Sequence, residues 1–342
     1  MIGLAMPPEF GLLFFPLPGL AAMTAAGVEA AGWDSLWFAD TQNLAADVFV
    51  SLGIAATATS RIALATGVTN PVTRHPAVAA SAITSVQVAS AGRAVLGIGR
   101  GDSSLGFLGQ QPASVAVFEQ YLTRVRGYLH GEPVDLDGVT SVNEWIGQSG
   151  QPPVPIDVAA TGPKVTALAA RLADRVSFAV GADAGRLADA IALVRAERQA
   201  AGLDPSTISI GAYVNVVAHP DKDMARSIVR GSAASFAHFS GMAGAPSLAG
   251  DARAEAFAAL GRDYDMAHHA EAGSSHASAL SDDFLDSFAV AGPSSYCVSR
   301  LAELVDLGLD RMVVVPGSRD ADPSELLASV GRLAAEVLPQ LR

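Results

Sequence analysis

The sequence contains little of what several classes of protein require. It has a single cysteine, Cys297, among its 342 residues, which excludes a disulfide framework and a zinc site built from cysteines. It has 22 lysines and arginines against 34 aspartates and glutamates, and hence a formal net charge of −12. Because phosphate binding requires clustered cationic side chains and no basic run occurs, we expect no nucleic-acid partner.

Long hydrophobic runs and aromatic residues are also scarce. No uninterrupted apolar stretch reaches the roughly 18 residues that would span a membrane. The first residues lack a charged segment followed by an apolar run, so we expect a cytoplasmic protein without a membrane partner. Aromatic residues make up only 6% of the chain, which leaves little for a carbohydrate-stacking surface, but 50% of the residues are hydrophobic and can form a large core.

The hydrophobic pattern indicates alternating strands and helices. Short apolar runs rich in β-branched residues alternate with longer amphipathic stretches. The predicted strands are nearly all apolar, as expected when helices cover both faces of a parallel sheet. The eight predicted strands are 2–6, 35–40, 62–70, 94–99, 155–161, 175–181, 207–218 and 311–316. The predicted helices are 20–31, 44–59, 77–90, 114–129, 163–172, 184–201, 221–239, 294–307 and 323–338.

Strict alternation of eight strands with helices predicts the α/β class and a (β/α)8 TIM barrel in one domain over 1–342. A doubly wound sheet would need a glycine-rich turn after the first strand, where Pro7 and Pro8 stand instead. Two segments exceed a minimal barrel, and we interpret them as insertions at about 131–150 and 240–286. Long loops in a compact domain are typical of lids and substrate walls.

The end of the fifth predicted strand has the features of an anion site. Thr161 can cap the following helix, Gly162 allows close approach of a ligand, and Pro163 suits the first helical turn. The N–H groups at such a helix start, together with Lys164, attract an anion. The alternative is an ordinary capped helix of the barrel.

Two aspartates stand at the ends of other predicted strands. Asp102 ends the segment Gly99-Arg100-Gly101-Asp102, in which bare glycine backbone can lie against a ligand. Asp102 could act as a general acid, or Arg100 could hold it ionised, and a turn with a surface ion pair is the alternative. Asp40 ends the second predicted strand, where it could contact a ligand or cap the next helix.

Metal and serine-hydrolase chemistry find no support in the sequence. No strand ends in a His-x-His pair, and the adjacent His268 and His269 would not share a face of a helix, so we expect no metal site. A Gly-x-Ser-x-Gly segment, which would mark a hydrolase nucleophile, does not occur.

Taken together, these segments resemble the bacterial luciferase-like superfamily of flavin- and deazaflavin-dependent oxidoreductases. The resemblance is strongest to its deazaflavin branch, typified by methylenetetrahydromethanopterin reductase, and it extends over nearly the whole chain. It rests on the order and spacing of several segments. These are ATGVTNPVTRHP (65–76), GIGRGD (97–102), AATGPK (159–164), YDMAHH (264–269) and FAVAGP (288–293).

The resemblance implies a TIM barrel with a flavin-type ring lying across the strand ends and a non-prolyl cis peptide between Gly67 and Val68. The implied cofactor contacts are Asp40, Thr66, Gly67, Val68, Asn70, Gly99, Gly101 and Asp102. The positions implied to approach the phosphate region of the cofactor are Ala160, Thr161, Gly162, Pro163 and Lys164. The implied catalytic residues are Asp102 and Asp40. The implied substrate-binding residues, which include part of the second insertion, are Arg100, Tyr264, His268 and His269.

The expected cofactor is the deazaflavin coenzyme F420, and FMN is the alternative. With F420 the chain would transfer hydride to or from a small organic substrate, whereas with FMN and oxygen it would act as a monooxygenase. A barrel that binds a flavin without catalysis is a further alternative. Some family members carry a histidine where Thr41 stands here, which disfavours a sugar-phosphate dehydrogenase. A homodimer formed through the helices between the second and fourth strands is also expected by analogy with the family.

Overall fold

The strands form one closed parallel barrel and one small hairpin. A computed structural model describes residues 7–242 and 251–342 of the chain. The strands in these ranges are β1 (Glu9–Phe14), β2 (Ser35–Phe38), β3 (Ala63–Thr66), β4 (Ala94–Ile98), β5 (Val134–Leu136), β6 (Val139–Ser141), β7 (Ile156–Ala160), β8 (Arg175–Phe178), β9 (Ser209–Ala218), β10 (Val290–Gly292) and β11 (Arg311–Val315).

The barrel contains eight of these strands in the order β1, β2, β3, β4, β7, β8, β9 and β11. Every neighbouring pair is parallel, and pairing between β1 and β11 closes the ring. The short strand β10 adds to the end of β9, where Val290 pairs with Val216. The predicted (β/α)8 barrel is therefore confirmed.

Helices surround the barrel and fill the two insertions. Those in the described ranges are α1 (Ala21–Ala30), α2 (Val48–Ala58), α3 (Pro76–Ala89), α4 (Ser103–Gly106), α5 (Val115–Leu129), α6 (Glu144–Gly147), α7 (Pro163–Leu172), α8 (Ala184–Ala200), α9 (Lys222–Met242), α10 (Asp251–Asp263), α11 (Ser275–Ser278), α12 (Asp282–Phe288), α13 (Ser294–Val305) and α14 (Pro323–Arg332). None of the helices that the structure describes combines the length and apolarity needed to cross a bilayer.

The first strand of the barrel differs from the prediction. The predicted strand 2–6 lies outside the described residues, and β1 (Glu9–Phe14) takes the first place in the barrel instead. Phe10 and Leu12 on β1 are fully buried among the residues that pack against the helices. Pro7 and Pro8 precede β1, as expected for residues that cannot donate a ladder hydrogen bond. The prolines therefore do not follow the first barrel strand, and their position does not exclude a doubly wound sheet as predicted.

The two predicted insertions contain regular structure that the sequence pattern did not reveal. Segment 131–150 holds the antiparallel hairpin β5–β6 and the short helix α6. The hairpin turns at Asp137 and Gly138, both of which have a positive φ, and Asp-Gly is the sequence signal for such a two-residue turn. Segment 240–286 contains the end of α9 and, within the described part, α10, α11 and most of α12.

Side chains fill the interior of the barrel below its C-terminal rim. The Trp37 ring packs edge-on against Tyr213 at a centroid distance of 5.8 Å, and its Nε1 donates to Ser35 Oγ. A Cβ on Gly97 would lie 1.9 Å from the Thr66 carbonyl oxygen, so only glycine fits beside this ring. This filled interior forces any ligand to the rim, where the strands end.

Candidate active site

A cavity of about 510 Å³ lies at the C-terminal ends of the barrel strands. Each of the eight barrel strands contributes to its wall, either from the strand or from the residues that follow it. These residues are Leu13, Ala39, Gly67, Gly99, Ala159, Ala179, Tyr213 and Val315. The cavity therefore lies where active sites of this fold are found.

Most of the predicted site residues lie in the wall of this cavity. The predicted residues in the wall are Asp40, Gly67, Val68, Gly99, Arg100, Gly101, Asp102, Thr161, Gly162, Pro163, Lys164 and His269. They come from four strand ends and from the second insertion, so the fold brings together segments that are far apart in sequence. The peptide bond between Gly67 and Val68 is cis, as the resemblance implied.

Three predicted cofactor contacts lie behind the cavity wall. Thr66 is fully buried, and its Oγ1 donates to the Gly97 carbonyl at 2.6 Å. The Asn70 amide donates to Ser104 Oγ at 3.1 Å, while its oxygen accepts from the backbone of the following turn. Ala160 belongs to the buried apolar residues that lie between the barrel strands and the surrounding helices. These side chains hold the backbone that forms the wall.

The segment YDMAHH separates into residues inside and outside the site. His269 lines the cavity, and Tyr264 lies behind it with its hydroxyl 2.9 Å from His269 Nδ1. The His268 side chain is 57% exposed and pairs with Asp265 at 2.7 Å. The structure therefore brings His269 but not His268 to the cavity, and Tyr264 supports His269.

His269 is neutral at pH 7. Burial lowers the pKa of His269 to about 4, although the nearby Asp102 carboxylate acts in the opposite direction. A neutral imidazole can accept or donate a hydrogen bond without adding a charge to the cavity.

Asp40 presents a carboxyl oxygen that no described group satisfies. Its Oδ1 lies 3.5 Å from an Nη of Arg74, whereas its buried Oδ2 has no hydrogen-bond partner among the described residues. Burial opposes the charge on Arg74, but Asp40 and Asp47 outweigh this effect and raise the pKa of Arg74. Asp47, not Asp40, caps α2, so the interpretation of Asp40 as a helix cap was wrong.

Asp102 stands at the rim of the cavity without the ion pair that the sequence suggested. Arg100 also lines the cavity, but its Nε donates to the Ala113 carbonyl at 2.5 Å, and among the described residues Arg100 forms no ion pair with Asp102. The buried Oδ2 of Asp102 has no hydrogen-bond partner within the same ranges. Gly101 has φ +94°, and a Cβ there would lie 2.4 Å from a methyl carbon of Leu105, so the turn that presents Asp102 requires glycine.

His238 on α9 lies directly beside Asp102. Its Nε2 is 3.4 Å from Asp102 Oδ1, and its Nδ1 is 3.1 Å from the Leu260 carbonyl oxygen. The imidazole stacks on Tyr264 at 4.2 Å with an angle of 18° between the rings. No motif surrounds His238 in the sequence, so no local signal identifies it as a site residue.

The start of α7 is left without a side-chain cap. Gly162, not Thr161, occupies the N-cap position, and it has no side chain that could bond to the first N–H groups of the helix. Thr161, Pro163 and Lys164 surround this end within the cavity wall. The predicted capping role of Thr161 was therefore wrong, but an uncapped helix start with a lysine suits an anion even better.

One face of α9 forms the opposite wall. Ser232, Ser235, Phe236 and Phe239 line the cavity from this helix at helical spacing. The rings of Phe236 and Phe239 are 5.3 Å apart. The periodicity of the segment predicted a helix, but it did not indicate that this face would meet a ligand cavity instead of the core.

The residues present fit a flat ring that carries an acidic tail. At Gly67 and Gly99 the wall is bare backbone, and a Cβ on Gly99 would lie only 3.2 Å from a methyl group of Val68. The uncapped end of α7 and Lys164 suit an anionic group on the same ligand. Among the described side chains, no group of three histidine, cysteine, aspartate or glutamate residues is close enough to hold a metal ion.

Comparisons with known proteins agree with this geometry. The chain is 30% identical over 318 residues to 5,10-methylenetetrahydromethanopterin reductase of Methanolobus tindarius, covering 89% of this chain and 93% of that protein.

Among solved structures, coenzyme F420-dependent tetrahydromethanopterin reductase from Methanopyrus kandleri has a TM-score of 0.76 at 21% identity, covering 98% of this chain and 100% of that one. An F420-dependent secondary alcohol dehydrogenase in complex with an F420-acetone adduct has a TM-score of 0.75 at 20% identity, with the same coverage. These two similarities show the shared fold. A family model described as luciferase-like monooxygenase matches residues 20–311, and the chain belongs to this family of oxidoreductases.

Proposed function

We propose that this chain transfers hydride between the deazaflavin coenzyme F420 and a small organic substrate. The observation that carries the proposal is the Asp102 carboxyl at a cavity whose wall also contains bare glycine backbone and the uncapped start of α7. Relatives that match most of the chain are named as methylenetetrahydromethanopterin reductases, which supports a deazaflavin in this cavity.

The ends of β3, β4 and β7 would hold the coenzyme. Gly67, Val68 and Gly99 offer a surface on which a flat ring can lie. The backbone N–H groups at the start of α7 and the Lys164 ammonium would bind its anionic groups. When bound, the deazaflavin supplies or accepts a hydride in a two-electron step.

The protein contributes positioning and a proton. Hydride transfer to a polar double bond leaves an electron pair on the neighbouring atom, and Asp102 would supply the proton that this atom takes up. The wall formed by α9 lies along one side of the cavity, where its aromatic rings would reduce the access of water to the reacting atoms. Arg100 and the neutral His269 are candidates to orient polar groups of the substrate.

The substrate we propose is small and partly apolar. Phe236 and Phe239 give the α9 wall an aromatic surface, and the hydroxyl groups of Ser232 and Ser235 add polar atoms at the same face. A cavity with an apolar wall and a few polar groups selects for a compact organic molecule with one or two hydrogen-bonding groups. We further propose that the protein acts in the cytoplasm as a homodimer.

Titration of the ligand-free protein with coenzyme F420 and, separately, with FMN tests the proposal. We expect binding of the deazaflavin in the micromolar range, followed by fluorescence, and weaker binding of FMN. The reduced coenzyme would then be offered a panel of acceptors that includes acetone and methylenetetrahydromethanopterin, with loss of reduced coenzyme as the readout. Tight FMN binding with substrate-dependent oxygen consumption would contradict the proposal and favour a monooxygenase. Tight binding without any hydride exchange would favour a non-catalytic carrier.

A further inference from the structure

We propose that His238 is a positioning residue that shares one proton with Asp102 at the wall of the cavity. This inference rests on the proposed function, because it assigns a proton to the group that would protonate the substrate. The two side chains lie 136 positions apart in sequence, and their Nε2 and Oδ1 atoms are 3.4 Å apart. His238 does not line the cavity itself, so it would act through Asp102.

The protonation of the imidazole follows from its surroundings. Nδ1 of His238 lies 3.1 Å from the Leu260 carbonyl oxygen, which can only accept, so Nδ1 carries a proton. In the neutral ring, Nε2 would be a buried acceptor 3.4 Å from Asp102 Oδ1, and it has no hydrogen-bond partner among the described residues. Two acceptors facing each other at this distance repel unless one of them holds a proton. The pair therefore carries a single proton between Nε2 and Oδ1.

No other described group competes with Asp102 for the charge of His238. The titratable side chains around the imidazole are Tyr264, His269 and His276. Burial lowers the pKa of both histidines and raises that of the tyrosine, so all three are neutral at pH 7. Arg319, which contacts the His269 carbonyl, is paired with Glu271. Within residues 7–242 and 251–342, Asp102 is thus the charge partner of His238.

The surroundings also hold the imidazole in place. Tyr264 stacks on it at 4.2 Å, and the Tyr264 hydroxyl is fixed by His269 Nδ1 at 2.9 Å and by the Ala270 N–H at 3.2 Å. The His238 side chain is 8% exposed, so water does not easily replace Asp102 as its partner. The buried Oδ2 of Asp102 likewise lacks a hydrogen-bond partner among the described residues.

The proton balance of the reaction follows from this arrangement. When hydride reaches the substrate carbon, the neighbouring heteroatom gains an electron pair and forms a bond to the proton delivered by Asp102. The bond between that proton and the pair breaks, which leaves an Asp102 carboxylate beside a neutral His238. In the opposite direction the pair takes up the proton as hydride leaves the substrate.

Nitrogen NMR of the ligand-free, full-length protein labelled with 15N-histidine tests the pair without any cofactor. We expect Nδ1 of His238 to be protonated and Nε2 to share a proton at pH 7. In Asp102→Asn, Nε2 should lose this proton while Nδ1 keeps its own. His276→Gln serves as a matched control, because His276 is buried nearby and also packs against Tyr264. His238 signals that are the same in the wild type and in Asp102→Asn would overturn the proposal.

A second variant separates positioning from packing. In His238→Asn the amide can still donate to the Leu260 carbonyl, but nothing replaces Nε2. We expect its affinity for coenzyme F420 to stay within about twofold of the wild type. With the acceptor that the wild type reduces fastest, we expect hydride transfer to fall about 10-fold to 100-fold and to depend differently on pH, because general acid catalysis contributes about 10²–10⁴-fold. If hydride transfer in His238→Asn and in the wild type depended on pH in the same way, His238 would only pack against its neighbours and the proposal would be wrong.

The two proposals fail in different ways. A wild-type protein that binds no deazaflavin would overturn the proposed function, and the NMR result would still decide whether the pair exists. A protein that transfers hydride but shows no response of His238 to Asp102→Asn would overturn only the pair.

Discussion

At the scale of single residues, the site depends on carboxyl oxygens that the fold leaves without partners. Oδ2 of Asp40 and Oδ2 of Asp102 are both buried, and neither has a hydrogen-bond partner among the described residues. Leaving a buried acceptor unpaired costs about 1–3 kcal/mol. Such groups persist where a ligand completes them, which is why we place the chemistry at these two aspartates.

The first prediction concerns Asp102→Asn. The amide keeps the shape of the carboxyl but cannot deliver the proton, so we expect nearly unchanged affinity for coenzyme F420 and turnover that falls about 10²–10⁴-fold. Fluorescence titration and steady-state kinetics measure the two quantities. Asp265→Asn, at a half-exposed position outside the cavity wall, is the matched control. Unchanged turnover in Asp102→Asn would remove Asp102 from the catalytic role.

At the scale of elements, the residues that we propose to bind the coenzyme lie mostly at strand ends and at the start of a helix. The eight barrel strands bring their carboxyl ends to one rim, and α7 begins at that rim without a side-chain cap. A different kind of helix contact holds the opposite end of the barrel, where Glu29 near the end of α1 accepts backbone N–H groups of the segment that leads into β3.

The start of α7 gives the second prediction. Removing the ammonium group in Lys164→Ala should weaken binding of the acidic coenzyme about 3-fold to 10-fold, or by about 1 kcal/mol, because charges near a helix start contribute about this much. Raising the salt concentration should shrink the difference between the variant and the wild type. Lys222→Ala, which removes the other lysine of the chain at a site outside the cavity wall, should leave affinity unchanged. Equal affinities for wild type and Lys164→Ala would place the anionic group elsewhere.

The third prediction concerns Glu29 and the pH dependence of stability. Burial opposes ionisation, but the N–H groups of Arg61, Ser60 and Ile62 outweigh it and lower the pKa of Glu29 to about 2, from an ordinary value of 4.5. A lowered folded-state pKa means that the stabilisation is fully present above pH 4.5 and is lost as the pH falls towards 2.

We therefore expect Glu29→Gln to lower the free energy of unfolding by about 1 kcal/mol at pH 7, since solvent at this partly exposed site screens the charge. The difference should shrink steadily between pH 4.5 and pH 2. Urea unfolding of both proteins at pH 7 and at pH 3 measures it. A difference that does not change over this range would show that the charge of Glu29 contributes nothing.

At the scale of the whole molecule, apolar side chains remain exposed on the helices between β2 and β4. Val50 on α2 is 63% exposed and Val78 on α3 is 56% exposed. Ile54 on α2 and Val88 on α3 are further exposed apolar residues on these helices. Exposed apolar surface of this kind often marks a contact with another chain. This is the region through which we expect two copies of the protein to associate.

The fourth prediction tests that contact. The double variant Val50→Asp and Val78→Asp places one charge on the exposed apolar face of α2 and one on that of α3. It should convert the proposed dimer into a monomer, because the charges would be buried on association. Light scattering after size-exclusion chromatography measures the mass. Leu327→Asp alters an equally exposed residue on α14, outside α2 and α3, and should leave the mass unchanged. A wild-type protein that is already monomeric would contradict the expectation.

Local features of the chain were predictable because their causes are local. The alternation of apolar strands and amphipathic helices identified seven of the eight barrel strands, since each strand is buried on both faces. The glycines and the aspartate of 97–102 indicated a ligand wall, because glycine at a strand end leaves bare backbone against which a ligand can lie. The first strand escaped prediction because the pattern placed it before the two prolines instead of after them.

The sequence by itself determined the barrel, the rim at which active sites of this fold lie and the residues that follow seven of its eight strands, because these depend on periodicity and on neighbours in the chain. Only the tertiary structure decided which face of α9 turns to the cavity, why His269 is buried while His268 is exposed, and that His238 meets Asp102. Such meetings depend on how a helix packs against the barrel. A rotation of that helix by one residue would present different side chains, and no local pattern in the sequence sets this rotation.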